Sequence, residues 1–293
     1  MAENRKNFLL GAFNKRTRNS DAEMSFFEHL EELRWHIIRG AIAVVLFASV
    51  AFSFKEFLFD TLIFGPKNLN FWTYRMFCTL SEKLHQPDLC VKKFNFIIQN
   101  TELAGQFSLH FMVAIFAGII LGFPYLLWEL WRFLSPALKE NEKRYSTGLI
   151  GAGSILFLLG VLFGYYIIFP LTINFLGGYT VSAEIVNQVT LDSYISMLLT
   201  LSLATGVTFE LPILVFFLSK MGIITPKMMR KYRRYSIVGI LILAAVITPS
   251  PDIMTQLIVS TPLFILYEIS IFVSAAVGRG KIKPLPENLR IDK

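Results

Sequence analysis

Residues Phe123–Tyr145, FPYLLWELWRFLSPALKENEKRY, run from an apolar segment through two tryptophans to a proline and a cluster of charges. Tryptophan is enriched where a membrane meets water, and Trp128 and Trp131 stand at that point of the stretch. Ser135-Pro136 and the charged residues that follow favour an aqueous turn. The stretch therefore predicts a membrane-spanning helix that ends and emerges into water.

The rest of the chain has the composition of an all-α integral membrane protein. Hydrophobic residues make up 54% of its 293 residues. Because a helix needs about 20 apolar residues to cross about 30 Å of hydrocarbon, we predict six transmembrane helices. Their ranges are 37–54, 103–128, 147–169, 193–219, 236–248 and 253–277. The fifth run is short for a span, and a proline-rich turn at 249–252 joins it to the sixth.

The distribution of basic residues predicts the orientation. Of the 28 lysines and arginines, 22 fall on the side of the two termini and 6 on the other side. The positive-inside rule therefore places both termini in the cytoplasm. The basic residues that give the net charge of +7 lie in the segments between spans, where the membrane lipid accounts for them. The charge therefore does not require a nucleic-acid partner.

Three regions follow from these spans. We predict a mobile basic tail at 1–23, a six-helix membrane domain at 24–277 and a cytoplasmic tail at 278–293. Ser25 and Glu28 form a capping-box pattern. A short amphipathic helix is expected there, lying along the interface and leading into the first span.

Motifs for catalysis, nucleotides and metals are absent from the sequence. Gly280-Lys281 is followed by isoleucine, and Ala275 stands where a phosphate loop needs glycine. The four histidines show no metal-ligand spacing. We expect a protein that is not an enzyme, has no cofactor and binds no metal.

Glu210 is the one charged residue in the fourth apolar run, two positions before Pro212. A carboxylate in hydrocarbon costs about 3 kcal/mol and so needs a partner, a polar cavity or a proton. The sequence leaves open a functional contact and a structural hydrogen bond to Thr205, Thr208 or Gln256. Glu268 in the sixth run is interpreted as structural.

Acidic residues also gather on the predicted cytoplasmic side, which is otherwise basic. They are Glu28, Glu31, Glu32, Glu140 and Glu142. One interpretation is a set of solvated charges paired with neighbouring lysines and arginines. The other is a surface that binds guanidinium groups in bidentate pairs, a geometry that lysine cannot reproduce.

Two further patterns concern packing. Cys78 and Cys90 lie in the long outer loop. An oxidising compartment would let them form a disulfide, and two free thiols in a variable loop are the alternative. Small residues at four-residue spacing, Gly118 with Gly122 and Gly160 with Gly164, permit close approach of helices.

The chain resembles the TatC family, the multispanning core subunits of twin-arginine protein translocases. The resemblance extends over about residues 24–277 and rests on four stretches in family order. They are HLEELR at 29–34, FP through WRFLSPAL to Glu142 at 123–142, GVTFELP at 206–212 and ITPSPD with Gln256 at 247–256. The basic tail and the enlarged first outer loop depart from the family pattern.

The resemblance implies a cup-like bundle of six helices with short fifth and sixth spans in the bacterial cytoplasmic (inner) membrane. It implies that Glu32 and Glu142 hold the guanidinium groups of a twin-arginine signal peptide on folded cargo. Arg34, Phe133 and Pro136 would shape that site.

The resemblance also implies partners inside the membrane and an energy source. Glu210, with Thr208 and Gln256, would contact single-span subunits of the TatA and TatB type within an oligomeric complex. Pro66 and Asp252 match positions that the family uses at its outer face. Transport would draw on the proton-motive force.

Two other functions remain open on the residues alone. A secondary transporter would use Glu210 for proton coupling and would show a two-fold internal repeat. A structural scaffold would show neither peptide selectivity nor loss of export on deletion.

Overall fold

The computed structural model describes residues 26–84, 90, 94, 96–134, 146–182, 187–248 and 253–279. The basic tail 1–23 and most of the tail 278–293 lie outside these ranges, so their predicted boundaries stay predictions. The described part is built mainly of helices.

Helix α1, Phe26–Ser53, and helix α3, Gly105–Leu134, form an antiparallel pair. The separate interfacial helix predicted before the first span is wrong, because α1 is one continuous helix. No proline interrupts residues 26–53, and the single Gly40 lies inside the helix against α3. Helix α3 is described as far as Leu134, and the predicted break at Ser135-Pro136 lies outside the described residues.

The third predicted span is longer than expected. Helix α4, Ser146–Phe163, passes through a π-helical turn, Gly164–Ile168, into α5, Phe169–Gly178. Pro170 lies in the first turn of α5, where its missing N–H interrupts least, so the proline does not end the span.

The fourth predicted span is divided at Glu210. Helix α6, Leu191–Phe209, and helix α7, Leu211–Lys220, lie on either side of this residue. Pro212 occupies the first turn of α7, where a helix tolerates proline.

Three helices follow, namely α8, Pro226–Lys231, α9, Arg233–Ile247, and α10, Ile253–Arg279. Helix α9 has 15 residues and is as short as the fifth apolar run predicted, but whether it spans the membrane stays a prediction. A short sixth span is wrong, since α10 has 27 residues. Among the described residues, five stretches are long and apolar enough to cross a membrane: Leu30–Ser53, Gly105–Leu134, Gly148–Gly178, Leu191–Lys220 and Thr255–Val277.

Short elements connect these helices at one end of the bundle. They are a π-helical turn, Phe57–Ile63, a 3-10 turn, Gly65–Lys67, helix α2, Trp72–Leu84, strand β1, Ile97–Gln99, and strand β2, Gln188–Thr190. The strands pair in parallel, with Ile98 opposite Val189. The all-α prediction missed them because each has only three residues. We call this end the α2 end and the opposite end, where α3 finishes and α8 lies, the α8 end.

The core lies where the π-helical turn and α5 pack on α6. Ile168, Phe169 and Ile195 are fully buried there. Large apolar side chains also cover the surface of α1, α3 and α9, and Val246 is 76% exposed. Such a surface fits surrounding lipid better than water.

Candidate functional site

Three of the five predicted peptide-binding residues lie at the α8 end. Glu32 and Arg34 lie near the start of α1, and Phe133 lies in the last turn of α3. Pro136 and Glu142 belong to residues 135–145, outside the described residues. Their place in the site therefore stays a prediction.

The close packing of α1 on α3 determines where Glu32 lies along the length of α3. A Cβ atom added to Gly118 would lie 2.7 Å from the carbonyl oxygen of Val44, and one added to Gly40 would lie 3.0 Å from Leu126. Because the two helices are antiparallel, residues closer to the end of α3 contact residues closer to the start of α1. The same register, continued by two turns, brings Glu32 level with the end of α3.

Glu129 on α3 joins the two helices near this point through its side-chain contacts with α1. Its side chain is 3% exposed and accepts a hydrogen bond from Nδ1 of His36 on α1. It also accepts bonds from the hydroxyl of Tyr125 at 3.0 Å and from Nη1 of Arg132 at 3.3 Å. Nη1 of Arg39 lies 3.8 Å from Oε2 of Glu129. The buried carboxylate is thus compensated from both helices, as a charge in a dry environment must be.

The sequence prediction did not include His36 or Glu129. The sequence did contain a signal, because Glu129 lies between two tryptophans at the end of an apolar segment. Tyr125 stands four residues before it and Arg132 three residues after it. Those spacings place all three side chains on one helix face. The partner on α1 was not visible, since pairing across 93 residues depends on the packing of two helices.

Glu32 has an unusual environment for a carboxylate. Its side chain is partly exposed, yet its Oε2 atom is buried and has no hydrogen-bond partner among the described residues. Neighbouring Glu31 and Arg34 are exposed. Phe133 meets the ring of His36 edge-on, with 6.1 Å between ring centres. The arrangement leaves an acceptor available to a cationic ligand.

Glu210 lies at the break between α6 and α7. Both of its carboxylate oxygens are buried without a hydrogen-bond partner among the described residues. A Cβ atom added to Gly153 on α4 would lie 3.2 Å from Oε2, so α4 passes close to the carboxylate.

The structural hydrogen bond considered for Glu210 is not formed. The hydroxyl of Thr208 donates to the carbonyl of Ala204 at 2.7 Å, and the hydroxyl of Thr205 donates to the carbonyl of Leu201 at 2.7 Å. The side-chain amide of Gln256 donates to the carbonyl of Leu241 at 3.1 Å. Each of the three candidate donors therefore donates to a backbone carbonyl, and none of these bonds reaches Glu210.

Glu268 has the structural role that its sequence position suggested. It forms an ion pair with Arg233, which joins α10 to α9. The guanidinium of Arg233 also lies over the ring of Phe264, 5.7 Å from its centre. Glu210, by contrast, forms no ion pair with a Lys, Arg or His side chain in the described part of the chain.

At the α2 end, Pro66 and the cysteines stabilise the long loop. Pro66 is buried, and its carbonyl accepts a hydrogen bond from the hydroxyl of Tyr74 at 3.0 Å. Burial raises the pKa of that phenol above its ordinary value. Cys78 and Cys90 form a disulfide with 4.3 Å between their Cα atoms. Asp252 lies outside the described residues.

A family model described as Sec-independent protein translocase protein (TatC) matches residues 28–262. The chain belongs to the TatC family. The TatC protein of Blattabacterium sp. subsp. Periplaneta americana is 40% identical over 268 residues, which cover 90% of this chain and 100% of that protein. The TatC protein of Aquifex aeolicus is 35% identical over 259 residues, covering 88% of this chain and 98% of that protein.

Solved structures agree with the TatC assignment. A crystal structure of the twin-arginine translocase receptor TatC has a TM-score of 0.61 and 31% identity, and the match covers 86% of this chain and 100% of that one. A second, of the same receptor in the detergent DDM, has a TM-score of 0.65 and 32% identity over 84% of this chain and 99% of that one.

Membership of the TatC family gives the general function. The chain is a multi-pass membrane protein and a component of a Sec-independent protein translocase, a membrane transport system and not a catalytic family. The TatC match includes Glu32, Glu142, Glu210 and Gln256 within its limits. In the described part of the chain, no group of three or more His, Cys, Asp or Glu side chains is arranged to hold a metal ion.

Proposed function

We propose that this protein is the receptor core of a twin-arginine translocase in the bacterial cytoplasmic membrane. In this proposal it binds signal peptides with consecutive arginines on folded proteins. It exports them in an oligomeric complex with single-span subunits of the TatA and TatB type, using the proton-motive force. Both termini face the cytoplasm.

The observation that carries the peptide-binding proposal is the buried, unpartnered Oε2 of Glu32. A buried carboxylate oxygen without a donor is costly, so a ligand that supplies donors is favoured. A guanidinium offers paired N–H groups in a plane that matches a carboxylate. Glu142 follows the end of α3 by eight residues, and α1 brings Glu32 to that same end. Two carboxylates on different segments would then each hold one arginine.

Peptide affinity tests this proposal with purified protein in nanodiscs. Glu32→Gln and Glu142→Gln should each weaken binding of a twin-arginine peptide by about 10-fold or more, because a charge-assisted hydrogen bond contributes about 1.5–3 kcal/mol. The matched control is Glu31→Gln, an exposed carboxylate beside Glu32 that makes the same charge change. It should alter affinity less than about twofold, as exposed charges contribute little.

A twin-lysine peptide completes the test. It carries the same charge but cannot form bidentate pairs, so we expect it to bind at least about 10-fold more weakly than the twin-arginine peptide. Equal affinity for the two peptides would contradict the proposed function.

Contact with single-span subunits is proposed at Glu210. Its two buried oxygens lack donors in the described residues, while the hydroxyl of Thr208 and the side-chain amide of Gln256 donate to backbone carbonyls. A neighbouring helix with a polar side chain at this depth would satisfy the carboxylate or share its proton.

Crosslinking to the single-span subunits tests the contact at Glu210. Glu210→Ala should reduce the crosslinking yield severalfold and leave affinity for the twin-arginine peptide unchanged. Leu214→Ala, an exposed position one turn further along α7, is the control and should crosslink normally. An unchanged yield in Glu210→Ala would exclude this contact.

A further inference from the structure

The start of α1, which carries Glu32, projects to the end of the helix pair. His36 lies four residues after Glu32, one turn further into the helix. In the described residues, the bond from His36 to Glu129 is the side-chain hydrogen bond between α1 and α3 nearest to Glu32. The position of Glu32 relative to α3 therefore depends strongly on this bond.

The bond is built to be rigid. Its acceptor is 3% exposed and the side chain of His36 is 9% exposed, so water does not compete for the pair. The ring of His36 also contacts Phe133 on α3 edge-on. Tyr125 and Arg132 also donate to Glu129, but both belong to α3 and do not join it to α1. One ring is thus held by two side chains of the neighbouring helix.

We propose that His36 and Glu129 are positioning residues for twin-arginine recognition, an inference that rests on the proposed function. They hold the start of α1, which carries Glu32, against the end of α3. Bidentate pairing tolerates displacements of only about 0.5 Å. Loosening of α1 therefore reduces the distinction between arginine and lysine more than the general attraction of a cationic peptide.

His36→Phe removes the bond to Glu129 while keeping a ring against Phe133. Arg39, Arg132 and Tyr125 remain to compensate the carboxylate, so the variant is expected to fold. His36→Gln is the conservative rescue, because its amide can donate to Glu129. Tyr125→Phe is the matched control: it also removes one hydrogen bond to Glu129, but that bond lies within α3 and does not join two helices.

The experiment measures affinities for twin-arginine and twin-lysine peptides in nanodiscs, with thermal unfolding of each variant. In His36→Phe, affinity for the arginine peptide should fall at least about 10-fold and the arginine-to-lysine ratio should approach one. His36→Gln and Tyr125→Phe should keep the ratio within about twofold of the unmodified protein. Amide hydrogen exchange at residues 30–36 should be faster in His36→Phe alone, without any peptide.

Three outcomes would overturn the inference. The first is an unchanged ratio in His36→Phe, and the second is an equal loss of affinity for both peptides, which a purely structural role would give. The third is the same loss of ratio in Tyr125→Phe. If the unmodified protein itself fails to distinguish the two peptides, the proposed function fails, and this outcome is separate from the other three.

Discussion

Among the described residues, Glu129 is the one Asp or Glu that is buried as a whole residue. Its partners differ in what they connect: His36 joins α1 to α3, whereas Tyr125 and Arg132 belong to α3. A buried charge with several partners contributes to stability mainly through the cost of removing one member of the group. Glu129 is therefore the position at which a single substitution should disturb the helix pair most.

Glu129→Ala should lower the free energy of unfolding by about 3 kcal/mol, since hydrogen bonds to a charged group contribute about 1.5–3 kcal/mol each. Glu129→Gln keeps an acceptor for His36 and should cost less. Thermal unfolding in detergent measures both. Glu56→Ala is the control, because Glu56 is exposed and makes no capping hydrogen bond at its helix start. Equal unfolding midpoints for Glu129→Ala and Glu56→Ala would contradict the stabilising role.

At the residue scale, the sequence predicted groups that a family pattern or an apolar run makes conspicuous. Glu210 was identified because it is a lone charge in an apolar segment, and the structure adds that its oxygens lack partners in the described residues. His36 and Glu129 were missed because their pairing is visible only after α1 and α3 are packed. Pairing between distant residues requires three-dimensional information that local periodicity does not contain.

At the element scale, glycine positions decide how closely the helices approach. Both predicted small-residue pairs face a neighbouring helix: Gly118 and Gly122 contact α1, and Gly160 and Gly164 contact α6. A Cβ atom at Gly118 would meet backbone atoms of α1, which cannot move independently of the helix. The four-residue spacing predicted the close approach, but not which helix would be met.

Gly118→Ala should destabilise the protein, since the new methyl group would lie 2.7 Å from the carbonyl oxygen of Val44. Overpacking of this kind costs about 1–3 kcal/mol. Gly151→Ala is the matched control, because a Cβ atom there would have no neighbour within 4 Å. That variant should be stabilised by up to about 1 kcal/mol through helix propensity.

The unfolding midpoints of the two alanine variants should therefore move in opposite directions. A rise in both would mean that α1 is free to move away from α3. In that case the register that places Glu32 would not be fixed by this contact.

Helix ends show where sequence-based prediction fails. The predicted stop at Ser135-Pro136 lies outside the described residues and stays a prediction, since the described part of α3 reaches Leu134 directly before it. The predicted end of the third span at residue 169 was too early, since Pro170 lies in the first turn of α5 and the helix continues to Gly178. The extent of α1 was underestimated, because amphipathic and apolar segments can form one continuous helix.

At the scale of the whole molecule, the number of crossings depends on α9. Five described stretches are long and apolar enough to span a membrane, while α9 has 15 residues. An α-helix of that length extends about 22 Å, less than the hydrocarbon thickness of about 30 Å. Local thinning of the bilayer can accommodate such a difference. The distribution of lysine and arginine favours a crossing, since it leaves the segment before α9 basic and the turn after it without a basic residue.

Single cysteines in a Cys78→Ser, Cys90→Ser background test this crossing. Tyr235 near the start of α9 and Ile253 at the start of α10 are 74% and 71% exposed, so cysteines there should be accessible. A membrane-impermeant maleimide applied to spheroplasts should label Ile253→Cys and should reach Tyr235→Cys only after permeabilisation. Leu103→Cys and Ile223→Cys, also at exposed positions, serve as references for the α2 end and the α8 end.

If α9 crosses, Ile253→Cys should follow the Leu103 reference and Tyr235→Cys the Ile223 reference. If α9 only enters the membrane and returns, both positions would follow the Ile223 reference. In that case α10 would cross the membrane alone, and its C-terminal end would lie outside the cell. Because that arrangement would separate the two termini, it would contradict the predicted orientation as well as the sixth span.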